Sequence, residues 1–242
     1  MLQERVEVEG TVATANTMAR FLSQLPSCGK PMRVVIFDLH TLQNRFYFHS
    51  NAIADLQTAL PLMAVQLEFR EVDYVFFPDA GAQKRFGKFF EKLGTRTGYC
   101  NKVRGPGDER TIEIVGDWDF RGKRVLLVDD LVRTGGTLAS SAEAIRAAGA
   151  VWVGAFCTHA AGSPEELARK FAWPMVPPET SSDSAGVAAV VAVAKEAEKA
   201  LPKVLDRFFV TDSVPTVAAC LPKNNVFCIL PLSNALRGIF AE

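Results

Sequence analysis

Residues 125–137 read Val-Leu-Leu-Val-Asp-Asp-Leu-Val-Arg-Thr-Gly-Gly-Thr. Four aliphatic residues lead into two adjacent acids, Asp129 and Asp130. A short loop, Arg133-Thr134-Gly135-Gly136-Thr137, then enters the helical pattern LASSAEAIRAAGA. Each residue type suits one part of a sugar phosphate. Carboxylates at the carboxyl end of a buried strand can accept hydrogen bonds from vicinal hydroxyls, directly or through a metal ion. Glycines let backbone N–H groups approach a phosphate, and threonine hydroxyls add donors. The helix that follows presents unpaired N–H groups and partial positive charge. Helix capping alone would explain one acid and one hydroxyl. It leaves the second acid and the Thr-Gly-Gly-Thr run without a purpose. A P-loop needs a lysine after its glycines, and a dinucleotide loop needs GxGxxG, so neither fits.

Three further places carry residues that could do chemistry. His40 follows the apolar run RVVIFDL, at a strand end where a side chain can reach a ligand. Asp79 follows YVFFP and opens a helical pattern. It can cap that helix and can also offer oxygen to a hard cation such as Mg²⁺. Lys84 and Arg85 fall in the first turn of the same helix, where positive charge is unfavourable, so an acidic or phosphate partner is expected for them. Lys102 and Arg104, in Cys-Asn-Lys-Val-Arg, alternate along a strand and share one face.

These segments together, Phe37-Asp-Leu-His40 with its Phe-rich continuation, Pro78-Asp-Ala-Gly…Lys84-Arg85, Asn101-Lys-Val-Arg104 and Asp129-Asp-Leu-Val…Gly-Gly-Thr137, resemble the phosphoribosyl pyrophosphate (PRPP) synthetases, and most nearly their divergent plant-like class. The likeness also takes in Glu4-Arg5 and Thr211-Asp-Ser-Val-Pro215. It implies an α/β fold like that of type I phosphoribosyltransferases, with a mostly parallel sheet, helices on both faces and two related domains. It implies an enzyme that transfers pyrophosphate from ATP to ribose 5-phosphate to make PRPP for nucleotide biosynthesis, with Mg²⁺ as cofactor. Lys102 and Arg104 would be catalytic. Asp129, Asp130 and Arg133–Thr137 would bind ribose 5-phosphate or PRPP. His40 and Gln3 would meet ATP, and His40 and Asp79 the metal. Arg133 departs from the family loop, which usually carries an acid there, and cannot accept a hydrogen bond. The family also has an N-terminal portion ahead of Leu2-Gln-Glu-Arg5, so the first domain is expected to be incomplete. Two other readings remain open: a non-catalytic subunit related to the synthetases, and a type I phosphoribosyltransferase.

The elements that must hold these residues follow from the pattern. Continuous apolar runs at 33–39, 74–78, 124–130, 151–159, 208–213 and 226–230 suit strands buried on both faces. Helical patterns are expected at 11–24, 54–68, 79–93, 135–148 and 163–172, and the alternation is that of an α/β sheet. Residues 97–116 read as a hairpin around Arg104–Arg110, expected to be mobile. Residues 174–203 read as an insert, with an Ala-rich helical stretch from 186 to 201. The expected division is a first-domain remnant at 1–55, with a C-terminal helix at 231–242 packed on it, and a ribose phosphate domain at 56–230.

The composition sets the outer limits. Hydrophobic residues are 48% and charged residues 22%, which suits a full core. Lys plus Arg is 27 and Asp plus Glu is 27, so no global charge draws the chain to nucleic acid or membrane. No stretch suggests a signal peptide or a membrane span. Five scattered cysteines and three histidines point to reduced thiols in the cytoplasm rather than to zinc. An incomplete first sheet would leave an open edge, which favours a homo-oligomer or a hetero-oligomer with a related synthetase subunit.

Overall fold

A computed structural model describes residues 10, 12–49, 51–67, 71–104, 110–171, 204–223 and 226–240. The chain divides into two compact units, Met1–Pro61 and Leu62–Glu242. Gln3 and the insert at 174–203 lie outside the described residues.

In the first unit, helix α1 (Thr14–Ser23) precedes strand β1 (Met32–Phe37), a 3₁₀ turn (Leu42–Tyr47) and strand β2 (Ala52–Gln57). β1 and β2 pair in parallel from Met32↔Ala52 to Phe37↔Gln57. The helical pattern expected over 54–68 is therefore two elements, β2 and then helix α2 (Leu60–Gln66). Ala54 and Asp55 are poor strand formers, and the ladder with β1 overrides that propensity. After β1 the chain turns at Asp38, which has φ +42°. Its buried carboxylate accepts the Ala59 N–H at 2.9 Å, which fixes the turn that presents the exposed His40.

The second unit holds a sheet of seven described strands: β3 (Tyr74–Phe77), β4 (Arg96–Arg104), β5 (Arg110–Ile114), β6 (Arg124–Val132), β7 (Trp152–Ala160), β8 (Arg207–Thr211) and β9 (Phe227–Leu230). Their order is β5-β4-β3-β6-β7-β8-β9. Every pair is parallel except β4–β5, the expected hairpin, which is antiparallel. The α/β, mostly parallel fold read from the sequence is thus the fold observed.

The apolar runs are buried as that topology requires. Val125, Leu126, Leu127 and Val128 are fully buried, as are Phe76, Phe77, Val153 and Phe156. Each such side chain contributes about 1.5–3 kcal/mol relative to exposure. Helices α3 (Ala80–Lys92), α4 (Gly136–Ala147) and α5 (Pro164–Phe171) supply the cover. α4 buries Leu138, Ala139, Ala142 and Ile145 along one stripe. It stops at Gly149, φ +108°, where the Gly149 and Ala150 N–H groups return to the Arg146 and Ile145 carbonyls. A C-terminal helix, Ser233–Phe240, closes the described chain.

The strand order places the site. From β3 the chain moves outward to β4 and β5, then returns to β6 on the other side of β3 and continues outward through β7, β8 and β9. The direction reverses between β3 and β6. In open α/β sheets, the crevice beyond the carboxyl ends of two such strands is where ligands bind. Asp79 follows β3, and Asp129 and Asp130 lie at the end of β6.

Candidate functional site

A cavity of about 200 Å³ opens at the carboxyl end of β6. Its wall is the single stretch Asp129, Leu131, Val132, Arg133, Thr134, Gly135, Gly136, Thr137 and Leu138. The loop read from the sequence as a phosphate cradle therefore lines an open space.

Local chemistry gives the loop its shape. Gly135 is the N-cap of α4 in the left-handed region, φ +69°. A Cβ there would stand 2.5 Å from the Phe171 ring, so both backbone and packing demand glycine. No side chain caps α4. The first intrahelical bond, Ala139 N to Gly135 O at 2.9 Å, leaves the amides of Gly136, Thr137 and Leu138 ahead of it. The Thr134 hydroxyl is a distant acceptor for Gly136 N at 3.5 Å.

Two features that hold this loop carry no sequence signal. Gly162, in the turn between β7 and α5, lies against the Arg133 carbonyl so closely that a Cβ would overlap it. The neighbouring Ala161 N–H donates to Val132 O at 2.8 Å. Lys170, in the last turn of α5, donates from Nζ to the Thr134 carbonyl at 2.7 Å.

The two acids are placed differently from one another. Asp129 borders the cavity, whereas Asp130 does not line it. The Asp130 carboxylate is buried, 7% exposed, and forms an ion pair with Arg85 of α3. Arg85 also stacks over the Phe86 ring at 4.7 Å. The acidic partner expected for Arg85 is thus Asp130, 45 residues away. The two acids expected together at ribose thus stand in different places, Asp129 on the cavity and Asp130 paired with α3.

Asp129 accepts the Asp130 N–H at 2.9 Å, and neither it nor Asp79 forms an ion pair among the described residues. Burial pushes the Asp129 carboxyl up to about 7, and the negative charges of Asp130 and, less, Asp79 push the same way. The pocket floor is an accumulation of negative charge that a cation or a ligand donor would relieve. Asp79 does cap α3, accepting the Ala82 N–H at 2.8 Å. One oxygen is committed there, and the residue is exposed.

Strand β4 carries the backbone of Lys102 and Arg104 toward the same rim. Phe77 at the end of β3 pairs with Tyr99, so β4 runs five residues further, to Arg104. Lys102 pairs with Ile112 and is exposed. It stands two strand spacings from β6, roughly 10 Å. Residues 105–109, the hairpin tip, lie outside the described residues. Beyond β7 and β8, the Thr211 and Ser213 hydroxyls both donate to Thr158 O, at 2.6 and 2.9 Å, and Ser213 Oγ also meets His159 Nδ1 at 2.9 Å. This network ties the strand ends together.

A mostly parallel sheet, a strand ending in two acids and a glycine-bearing loop opening a helix define a phosphoribosyl fold. The phosphoribosyl transferase domain model matches residues 70–194, and the chain belongs to that family. The likeness then narrows. Over 237 residues the chain is 37% identical to Ribose-phosphate pyrophosphokinase 4 of Oryza sativa subsp. japonica, covering 96% of this chain and 65% of that protein. It is 45% identical over 160 residues to Ribose-phosphate pyrophosphokinase 4 of Arabidopsis thaliana, 64% of this chain and 46% of that one. Phosphoribosylpyrophosphate synthetase from Mycobacterium smegmatis shares the fold over 99% of this chain and 67% of its own, with a TM-score of 0.64 and 22% identity. The resemblance read from the motifs is thus shown at the level of the family and its pyrophosphokinase relatives.

Proposed function

We propose that this chain makes PRPP, transferring the pyrophosphoryl group of ATP to the anomeric hydroxyl of ribose 5-phosphate. The observation that carries the reading is the cavity walled by Asp129 and residues 131–138 at the switch point between β3 and β6. Its similarity to the ribose-phosphate pyrophosphokinases supports the choice of a synthetase over a transferase.

The 5-phosphate rests on the first-turn amides of α4 and on Thr134 and Thr137. Asp129, ionised, accepts from the ribose hydroxyls. Asp130 fixes the rim by holding Arg85, and so positions Asp129. The anomeric oxygen attacks the β-phosphorus of ATP, the bond from that phosphorus to the α-phosphate bridging oxygen breaks, AMP leaves and the hydroxyl proton passes to water. Such transfers depend on positioning and charge stabilisation more than on covalent catalysis. Lys102 and Arg104 close over the transferring group from β4. His40 and Gln3 serve the nucleotide.

The donor set fits Mg²⁺ of a particular kind. Among the described residues no three His, Cys, Asp or Glu side chains cluster tightly enough to cage a metal. The unneutralised Asp79 and Asp129 suit a hard cation that arrives on nucleotide phosphate and keeps most of its water. That ion would withdraw charge from the phosphate oxygens.

The test is AMP release by the full chain from ATP, Mg²⁺ and ribose 5-phosphate. AMP that forms only when all three are present supports the proposal. Tight binding of ribose 5-phosphate without AMP would assign the site to a non-catalytic subunit. PRPP consumption with a free base would assign it to a phosphoribosyltransferase.

A further inference from the structure

We infer that Lys170 is a binding residue for the 5-phosphate, and that it selects the phosphorylated sugar over the free one. The inference rests on the reading of the loop as a phosphoribosyl site.

The argument begins with charge. A phosphate monoester entering this cavity comes close to the side chain of Asp129, a carboxylate that lines it. Backbone amides and hydroxyls offer only partial charges against it. Arg85 cannot compensate, because it is paired with Asp130. Lys170 holds its ammonium beside the loop. Its Nζ donates to Thr134 O at 2.7 Å and stands 3.9 Å from where a Cβ on Gly136 would lie. Gly136 lines the cavity and contributes the first amide of α4.

The ammonium has three donors, and Thr134 uses one. Lys170 is not part of the cavity wall in this structure. Its four-carbon stem allows the head group the small shift needed to meet a phosphate oxygen while it keeps the Thr134 carbonyl. That carbonyl is otherwise a repulsive group at the mouth of an anion site, and the lysine screens it. As a cation in the last turn of α5 it suits that helix end, and its bond to Thr134 steadies the loop; its approach to Gly136 is what brings it within reach of a phosphate on the α4 amides.

The rival cation is Arg133, which lines the cavity, is exposed and forms no ion pair among the described residues. Its carbonyl is locked against Gly162, so the backbone there is not free to adjust.

The experiment is calorimetric titration of the full chain and of the variants Lys170→Met, Lys170→Arg, Arg133→Met and Arg169→Met. The probes are ribose 5-phosphate, ribose and inorganic phosphate. Arg169 shares the last turn of α5, is exposed and makes no bond to the loop, so it controls for general charge. Loss of one charge-assisted hydrogen bond weakens binding about ten- to a hundredfold. The expected result is that loss for ribose 5-phosphate in Lys170→Met, with no comparable loss for ribose, partial recovery in Lys170→Arg, and no change in Arg169→Met; the melting temperature of Lys170→Met falls only by the bond to Thr134. Unchanged affinity in Lys170→Met, or a loss carried by Arg133→Met alone, overturns the inference and leaves the loop reading intact. If the parent chain itself binds neither ribose 5-phosphate nor phosphate, the loop reading falls first.

Discussion

Replacing Asp129 by asparagine is expected to stabilise the protein at neutral and alkaline pH while removing its hold on ribose. The carboxyl is pushed from 3.8 to about 7, by burial first and then by the charge of Asp130. A carboxyl raised on folding reverses the usual sign for an acid. Between pH 4 and 7 the native state holds a proton that the unfolded chain has released, so stability falls as pH rises through that window. Below it both states are protonated. Above it both are ionised, and the full cost of the buried charge is present. At about 1.36 kcal/mol for each pH unit, the ceiling is about 4 kcal/mol. Asparagine is isosteric, and its Oδ1 can still accept the Asp130 N–H now held at 2.9 Å. The other charged side chains of the site are the same in both proteins, so their direct contributions largely cancel in the difference. Urea unfolding of parent and Asp129→Asn at pH 4, 5, 6, 7 and 8 reads that difference. The gap should favour the variant, widen by up to about 1.4 kcal/mol per unit to pH 7 and then level off. A gap that is flat across the series, or that favours the parent at pH 8, would refute the assignment of a costly buried charge to Asp129.

Further outcomes follow from the same geometry. Lys102→Ala should cut AMP release at least a hundredfold, equivalent to about 3 kcal/mol of barrier, with an unchanged melting temperature because the side chain is exposed. Arg85→Met strands the 7%-exposed Asp130 and should cost about 3–5 kcal/mol in urea unfolding, with much of it restored by adding Asp130→Asn. Gly135→Ala forces a side chain into φ +69° and against Phe171, so ribose 5-phosphate affinity should drop in calorimetry even where the variant folds. An ionised Asp129 offers both oxygens to the ribose hydroxyls and a protonated one only part of that acceptor capacity, so free ribose, which carries no phosphate of its own to titrate, should bind more weakly as pH falls below about 7. Asp129→Asn should lose that part of the dependence.

Much of the fold was legible because the strands of the parallel sheet are unbroken apolar runs. Val125–Val128 could be little else once the helical pattern of α4 followed. β2 was not legible, since Ala52–Gln57 alternates without aromatic or many branched residues, and its identity comes from the ladder with β1. In the site, Asp129 and the loop at 133–137 announced themselves because one short stretch makes the whole cavity wall. The division of labour between Asp129 and Asp130 did not, since it depends on Arg85 reaching across from α3, a pairing with no local signature. Gly162 and Lys170 were invisible for the same reason. They come from the turn after β7 and from α5, roughly thirty residues beyond the loop, and matter only because the sheet brings β6 and β7 side by side.

The central claim, that the β6–α4 loop grips a sugar phosphate, is tested most directly by a crystal structure of the full chain with ribose 5-phosphate. The account expects the phosphate oxygens within hydrogen-bonding reach of the amides at 136–138 and the ribose hydroxyls beside Asp129. A phosphate bound elsewhere, with that loop facing only solvent at saturating ligand, would contradict it.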